Sequence, residues 1–369
     1  DAYSVAIGYL AGENITTGTQ NTLIGGLAGD GLTTGADNTA VGYAALSTEN
    51  AHGRNTAIGK GALNLLDAGT DAYNVAVGFN SGVAITTAIR STLIGGQAGS
   101  AITTGSENTF IGYTAGAATT IGNKNVAIGG EAMVTNVAAD CNVAVGLEAL
   151  KSMTSAVTSD TFNTAVGYRA GLSVTSGNAN TFVGGLAGDV ATDTETSVFI
   201  GKDAGGLTTS GSRLTFVGTD AGNAANYSGS NLTAIGFNAD PSAAGATDEF
   251  TLGDSAVATL RCAVNTITLI SDERDKTDIQ DIDYGLDLIE NLRPRKFTWD
   301  SRDGAKQGQK EIGFIAQELQ EVDDEYLNFV QDNNPDKLEA GWMQLVPVLV
   351  KAVQELSAEV KQLKQQLKS

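Results

Sequence analysis

The chain has 369 residues, with 46 glycines, only 4 prolines and an aromatic content of 6%. This length exceeds one ordinary domain, and the small-residue composition suits closely stacked backbones better than a globular core of large side chains. The net charge of −20 disfavours anionic partners, and no apolar run reaches the length of a membrane helix, so we expect neither nucleic-acid binding nor membrane insertion.

A repeat of about 17 residues occupies residues 1–240. Its marker is the glycine that ends the phrase Asn-Thr-Ala-Val-Gly and its variants, and most steps between successive markers are 17 residues. The fourteen marker glycines are Gly8, Gly25, Gly42, Gly59, Gly78, Gly95, Gly112, Gly129, Gly146, Gly167, Gly184, Gly201, Gly218 and Gly236. Such regular self-similarity predicts a mainly β fold, a parallel β-solenoid in which each copy forms one coil.

Each copy places Val or Ile directly before the marker glycine and Ala, Leu or Phe one residue earlier, as in Ala40 and Val41. Neighbouring residues of a strand point to opposite faces. We therefore expect one residue to fill the coil and the other to meet a neighbouring chain of a homotrimer. The asparagine that opens the phrase, such as Asn108, is expected to form a side-chain ladder between coils or a tight turn. Two longer segments, residues 65–71 and 153–162, are expected to bulge outward.

The phrase Asn-Thr-Ala-Val-Gly-x-x-Ala-Gly resembles the head repeats of trimeric autotransporter adhesins, over residues 3–240. The resemblance implies a parallel β-roll in a trimer, although 17 residues is longer than the usual adhesin coil.

The repeat is expected to end at Asp240-Pro241. Alternating residues around Phe250 and Val264 predict a short β stalk or linker in residues 241–270. Charged residues become frequent from Ser271 onward, which indicates a separate domain in residues 271–369.

The segment Ser-Asp-Glu-Arg-Asp-Lys, from Ser271 to Lys276, resembles the start of the intramolecular chaperone domain at the C-termini of phage endosialidases, tail spikes and neck appendages. Three later stretches, residues 288–299, 311–319 and 345–356, agree with that family in order. The resemblance implies a small α+β domain that directs trimerisation and is then released by autoproteolysis.

The implied chemistry uses Ser271 as nucleophile and neutral Lys276 as its base. Desolvation or a nearby positive charge must lower the lysine pKa from about 10.4, and Arg274 is the candidate for the second effect. We favour cleavage between Ser271 and Asp272, with the serine of one chain able to serve another. Attack on the preceding carbonyl would instead break the bond between Ile270 and Ser271. The structural alternative is a solvated turn in which Ser or Asp caps a helix.

The last segment carries apolar residues that alternate in steps of 3 and 4: Val346, Leu349, Val353, Leu356, Val360, Leu363 and Leu367. This heptad pattern predicts a coiled-coil helix. Val at position a with Leu at position d usually favours two strands, but the repeat favours three. The alternative is an amphipathic helix folded onto its own domain.

Residues suited to metal or redox chemistry are scarce. His52 is the only histidine, and Cys141 and Cys262 have neither disulfide-framework nor zinc-ligand spacing. We therefore expect no metal and no cofactor. The Asp323-Asp324 pair is interpreted as a solvated helix face rather than a glycosidase pair. Because the chain starts at Asp1 without methionine, an N-terminal anchor is expected to be missing.

These patterns favour a virion fibre or spike that attaches to a host cell-surface receptor, a glycan or a protein. One alternative is a bacterial trimeric surface adhesin with the same terminal domain. Another is a polysaccharide depolymerase spike, which the lack of a clustered carboxylate pair disfavours.

Overall fold

The structure, a computed structural model, describes residues 3–154, 159–257, 259–261, 271–302, 304, 306–332, 334, 338–341 and 343–368. The chain divides into two compact units, residues 1–254 and 255–369. The first is a β-solenoid, and the second is a small mixed unit that ends in a helix.

One parallel sheet of fifteen strands, arranged in chain order, runs through the first unit. Fourteen turns connect these strands, so the predicted solenoid of about fourteen 17-residue coils is confirmed. The strands are β1 (Val5–Ile7), β2 (Thr22–Ile24), β3 (Thr39–Val41), β4 (Thr56–Ile58), β5 (Val75–Val77), β6 (Thr92–Ile94), β7 (Thr109–Ile111), β8 (Val126–Ile128), β9 (Val143–Val145), β10 (Thr164–Val166), β11 (Thr181–Val183), β12 (Val198–Ile200), β13 (Thr215–Val217), β14 (Leu232–Ile235) and β15 (Glu249–Leu252).

The sheet continues past residue 240, where the sequence pattern was expected to end. Strand β15 pairs in parallel with β14, with Ile235 opposite Leu252. Gly253 follows Gly236 by 17 residues, so the same spacing marks a fifteenth strand. The remaining part of the predicted stalk, residues 262–270, lies outside the described residues, as does Cys262.

In each strand from β2 to β13, the middle residue points into the coil and its neighbours point outward. In β7, Phe110 is fully buried, whereas Thr109 and Ile111 are half-buried. The outward residue before the marker glycine is exposed in several coils, for example Ile24 and Ile94. Strands therefore fill the interior with Ala, Leu and Phe and present a row of Val and Ile on the outer face of the sheet.

The phrase-opening asparagines form the predicted ladder between coils. Asn108 is fully buried, and its Nδ2 donates to the carbonyl of Gly122 at 2.8 Å. Its Oδ1 accepts the backbone N–H of Asn125 at 3.0 Å, and Asn125 accepts that of Asn142 in the same way. Each ladder side chain thus satisfies buried backbone groups that strand pairing leaves free.

The two longer segments only partly bulge outward. In residues 65–71, Leu66 is fully buried, while Leu65, Asp67 and Thr70 are exposed. The second segment lies partly outside the described residues, and Asp160 within it is exposed.

The described residues of the second unit form two short antiparallel sheets and three α-helices. Its elements are α1 (Leu286–Asn291), β16 (Arg295–Asp300), β17 (Gln307–Gly313), α2 (Ala316–Gln320), β18 (Val330–Gln331), β19 (Glu339–Ala340) and α3 (Leu345–Gln366). Strand β16 pairs with β17, and β18 pairs with β19. A small core joins α2, the β18 region and the start of α3 through Leu319, Phe329 and Val348.

Helix α3 has two apolar faces with different surroundings. Leu345, Val348 and Ala352 are buried in the unit's own core, and Oε2 of Glu355 accepts the backbone N–H of Leu286 at 2.7 Å, at the start of α1. The seven heptad residues lie on the other face and are all exposed. The first half of the helix is therefore folded onto its own unit, as the alternative interpretation expected, but the heptad residues are not the ones that pack there.

Candidate active site

A single turn of 3₁₀ helix, Glu273–Asp275, organises the segment that was predicted to carry the chemistry. Asp272 begins the turn, and its side chain accepts the backbone N–H of Arg274 at 2.9 Å. Lys276 ends the turn in an extended conformation and donates its own N–H to the carbonyl of Glu273. The turn reverses the chain, so that the side chain of residue 276 can reach back to residue 271.

Ser271 and Lys276 are brought together by this turn. Nζ of Lys276 donates to Oγ of Ser271 at 2.5 Å. To act as a general base, the amine would have to accept the hydroxyl proton instead of donating to Oγ. The contact places the two predicted reactants within proton-transfer distance, and their catalytic role stays a prediction.

Arg274 forms a two-point ion pair with Asp272, the residue on the far side of the predicted cleavage bond. Nε and Nη2 of Arg274 lie 3.0 and 2.6 Å from the two carboxylate oxygens. The guanidinium holds the pKa of the Asp272 carboxyl below its usual range. The negative charge of Asp272 therefore offsets the positive charge of Arg274. This pairing weakens the electrostatic effect of Arg274 on the pKa of a neighbouring lysine.

The pair is open to solvent in the single chain. Ser271, Arg274 and Lys276 are exposed, and Asp272 is half-buried. The turn with its aspartate cap is the structural alternative stated above, and Asp272 fills that capping position. The hydroxyl of Ser271 contacts Lys276 rather than a backbone N–H of the turn.

The Asp323-Asp324 pair differs from the predicted solvated helix face, because it lies in a loop and anchors that loop. Asp323 accepts the backbone N–H groups of Phe329 and Val330 at 2.8 and 2.9 Å. Asp324 accepts that of Leu327 and also the hydroxyl of Tyr284. The backbone bonds are local and order the chain before β18, where Phe329 enters the core, while the Tyr284 bond ties this loop to a residue 40 positions earlier.

An aromatic row on the solenoid surface was not recognised from the sequence. Along much of the solenoid, the residue directly after the marker glycine is large in one coil and small in the next. Tyr43 thus occupies the position that Gly26 has one coil earlier, and Tyr113 the position that Gly96 has. Each ring lies over that glycine, since a Cβ added at Gly26 or Gly96 would lie 3.4 or 3.5 Å from it. A repeat of two coils, about 34 residues, was the available signal. The exposed aromatic members are Tyr9, Tyr43, Phe79, Tyr113, Tyr168 and Phe237, and Leu147 takes the place of a ring in one coil.

One shallow groove on the solenoid contains two carboxylates, Asp193 and Glu195. Small and hydroxyl-bearing residues such as Ser210 and Ser228 line the rest of it. Both carboxylates are exposed. The sequence did not single out this pair, since the two residues lie in an ordinary turn of the repeat.

A family model described as chaperone of endosialidase matches residues 271–328. The match begins at Ser271 and includes Lys276 and the stretches at 288–299 and 311–319, whereas the stretch at 345–356 lies beyond it. No curated protein matches the chain. Among the described helices, none combines the length and apolar character that a bilayer span requires. Residues 271–328 are thus similar to a family of self-cleaving intramolecular chaperones, and their place after a β-solenoid suggests a phage-type tail spike or fibre with a C-terminal chaperone.

Proposed function

We propose that the chain is part of a virion fibre or spike for host attachment, whose C-terminal unit drives trimerisation and is then released by autoproteolysis beside Ser271. One observation carries the proposal: the family match begins at Ser271, the residue whose hydroxyl contacts Lys276. The solenoid that precedes it provides a long surface for a receptor, a glycan or a protein.

Three chains are proposed to meet through two apolar surfaces that a single chain leaves exposed. The first is the outward Val and Ile row of the sheet together with the aromatic row beside it, for example Ile94 and Tyr113. The second is the heptad row of α3, for example Val353 and Leu356. Contiguous exposed apolar surface of this kind marks an interaction site, and burial of both rows would stabilise the assembly.

The proposed cleavage needs Lys276 in its neutral form. Its Nζ takes the proton of Oγ of Ser271, and Oγ attacks the carbonyl carbon of the same residue in a neighbouring chain. The bond from that carbon to the nitrogen of Asp272 breaks, and the nitrogen takes up the proton. Water then hydrolyses the ester and restores the serine hydroxyl.

Assembly is proposed to precede cleavage. A lysine that is exposed keeps its proton at neutral pH, and removal of water around it favours the neutral form. Because Ser271 and Lys276 are exposed in the single chain, neighbouring chains are the proposed source of that desolvation. This order would keep the chaperone attached until the trimer has formed.

The test is expression of the full chain beside Ser271→Ala and Lys276→Ala, followed by electrophoresis and mass spectrometry. The parent is expected to yield residues 1–271 and 272–369, and both variants are expected to stay intact. A released piece that starts at Ser271 instead of Asp272 would show that the preceding bond is cut.

Matched controls use the same substitutions at exposed positions of the same unit. Ser357→Ala on α3 and Lys310→Ala on β17 should cleave like the parent. A parent chain that assembles and yet remains intact would rule out the peptidase proposal. Cleavage of the Ser271→Ala variant would rule out the assigned nucleophile.

Two other functions remain to be distinguished by experiment. A bacterial trimeric adhesin would share the solenoid and the chaperone, and would be found on the cell surface rather than on the virion. A polysaccharide depolymerase would use the Asp193 and Glu195 groove. In that case Glu195→Gln would abolish glycan degradation, whereas a pure attachment protein would show no degradation with either form.

A further inference from the structure

A charged residue occupies a core position of one coil. The seventh residue after the marker glycine faces the interior in most copies, and it is fully buried in Leu32, Leu66, Ile85 and Ile102. Among the fourteen copies, Glu49 is the one charged residue at this position, and its side chain is also fully buried. A buried carboxylate is costly unless it is paired with a cation or fully hydrogen-bonded.

The bonding of Glu49 within the described residues is incomplete. Its Oε1 accepts the backbone N–H groups of Asn50 and His52, both at 3.2 Å. Neither its Oε2, which is buried, nor Nδ1 of His52 has a hydrogen-bond partner of good geometry. The backbone N–H of Ala68 lies near enough to lower the pKa of the Glu49 carboxyl, but it does not make a well-formed bond to Oε2. Nδ1 of His52 lies 3.5 Å from Oε1 of Glu49. The two unpartnered atoms thus belong to side chains that lie side by side, an arrangement that is rare unless a further group bridges them.

A second carboxylate completes the cluster from the next turn of the solenoid. Asp67 lies in the longer turn between β4 and β5, whereas Glu49 and His52 lie in the turn between β3 and β4. One donor atom from each of the three residues can be chosen so that all three lie within 4.8 Å of one another. Asp67 is exposed, so the cluster is open to solvent on one side.

We propose that Glu49, His52 and Asp67 bind a divalent transition-metal ion, for which Zn²⁺ is the best match. One imidazole nitrogen and two carboxylate oxygens are a ligand set that Zn²⁺ accepts, with water in a fourth position. Hard ions such as Mg²⁺ and Ca²⁺ prefer oxygen ligands alone, so the imidazole disfavours them. The ion neutralises the buried carboxylate and ties two consecutive turns together.

The electrostatic environment supports the same assignment. Burial raises the pKa of the Glu49 carboxyl, and the negative charge of Asp67 adds to that effect. A bound cation would oppose both contributions. The rival arrangement is the direct contact of Glu49 with His52, which needs no metal.

The test is equilibrium dialysis and calorimetric titration of the chelator-treated full chain with Zn²⁺, with Co²⁺ as a spectroscopic probe. We expect one Zn²⁺ per chain, a higher melting temperature with Zn²⁺ than with chelator, and visible absorption of bound Co²⁺. Glu49→Leu and His52→Ala should lose all three effects. Glu49→Leu installs the residue found at positions 32 and 66, and His52→Ala the residue found at the equivalent position 88, so both variants should fold.

Glu13→Gln serves as the control, because Glu13 is an exposed carboxylate in the turn after β1. It should bind Zn²⁺ like the parent. Absence of Zn²⁺ uptake by the parent, or equal uptake by parent and Glu49→Leu, would overturn the proposal. A parent that melts at the same temperature with Zn²⁺ and with chelator would show that the direct contact of Glu49 with His52 needs no metal.

Discussion

At the scale of single residues, the marker glycines carry the strictest requirement of the fold. Gly112 has a φ of +142°, a conformation that is almost restricted to glycine. A Cβ added there would also lie 2.4 Å from the carbonyl oxygen of Gly129 in the next coil. Both effects involve backbone, which cannot move aside without disturbing the strand pairing.

Gly112→Ala is therefore expected to destabilise the solenoid by about 3 kcal/mol or more. Gly130→Ala is the matched control, since its φ is not in the left-handed range and its Cβ would meet only the movable Cδ1 of Leu147, at 3.3 Å. The measurement is thermal unfolding followed by circular dichroism. Equal melting temperatures for the two variants would contradict the argument.

The asparagine ladder gives a second prediction at this scale. Asn108→Ala removes one donor and one acceptor, which leaves the Gly122 carbonyl and the Asn125 N–H without these side-chain partners. We expect a loss of about 2–4 kcal/mol, because each unpaired buried group costs about 1–3 kcal/mol.

Asn108→Ser should be milder than Asn108→Ala. Ser91 occupies the same ladder position one coil earlier, and its Oγ accepts the N–H of Asn108 at 3.3 Å. A serine thus keeps the acceptor and loses the reach to the carbonyl. Denaturant unfolding should rank the parent first, the serine variant second and the alanine variant last; the reverse order of the two variants would refute the ladder's role.

Residue-level features differ in how far the sequence predicts them. Recurrence of asparagine predicted either a ladder between coils or a tight turn, and the bonds from coil to coil show the ladder. The Glu49, His52 and Asp67 cluster was not foreseen. A single histidine argued against a metal site, but stacking joins donors from two turns of the chain. The close contact of a marker glycine with the backbone of the next coil likewise arises only when the coils stack, so the sequence does not show it.

At the scale of elements, the exposed heptad row of α3 is the surface through which we expect the helices of different chains to associate. A charged residue in this row should therefore separate the chains. Leu356→Lys, made in the Ser271→Ala background so that the unit stays attached, should convert the proposed trimer into a monomer. A lysine at a coiled-coil core position is charged and would have to lose its water there. Analytical ultracentrifugation provides the measurement.

The control is Gln354→Lys, because residue 354 is exposed on α3 and lies outside the heptad row. It should remain trimeric. The monomeric Leu356→Lys variant should keep its own fold within about 0.5 kcal/mol, since Leu356 does not contribute to the buried core of the unit. Loss of secondary structure in place of dissociation would mean that the row serves the single chain.

Element boundaries follow from spacing where the spacing is strict. The marker glycines predicted fourteen strands. Gly253 continues the same spacing to β15, but Pro241 and the changed residues before Gly253 concealed this last repeat in the sequence. The heptad spacing predicted the helix but not its second apolar face, with Val348 and Ala352, which depends on how α1 and α2 pack. Short elements such as β18 and β19 have too few residues for any periodicity.

At the scale of the whole molecule, folding has two distinct steps, the stacking of coils within one chain and the alignment of chains with one another. Stacking one coil on the next pairs residues only about 17 positions apart, so it resembles local structure formation. Alignment of three chains is an intermolecular step that depends on concentration and register. Release of the C-terminal unit would therefore remove the aligning device but leave the assembled solenoid in place, with its stability set by the rate of unfolding.

The cleaved parent trimer is thus expected to resist unfolding but to fail to refold after complete denaturation. The uncleaved Ser271→Ala trimer should recover its trimeric state when denaturant is diluted, because it retains the C-terminal unit. Refolding yield is measured by ultracentrifugation at matched concentration, and Ser357→Ala, which should still cleave, must behave like the parent. Equal yields for cleaved and uncleaved chains would show that the solenoid aligns itself, and the unit's role as a chaperone would then have to be abandoned.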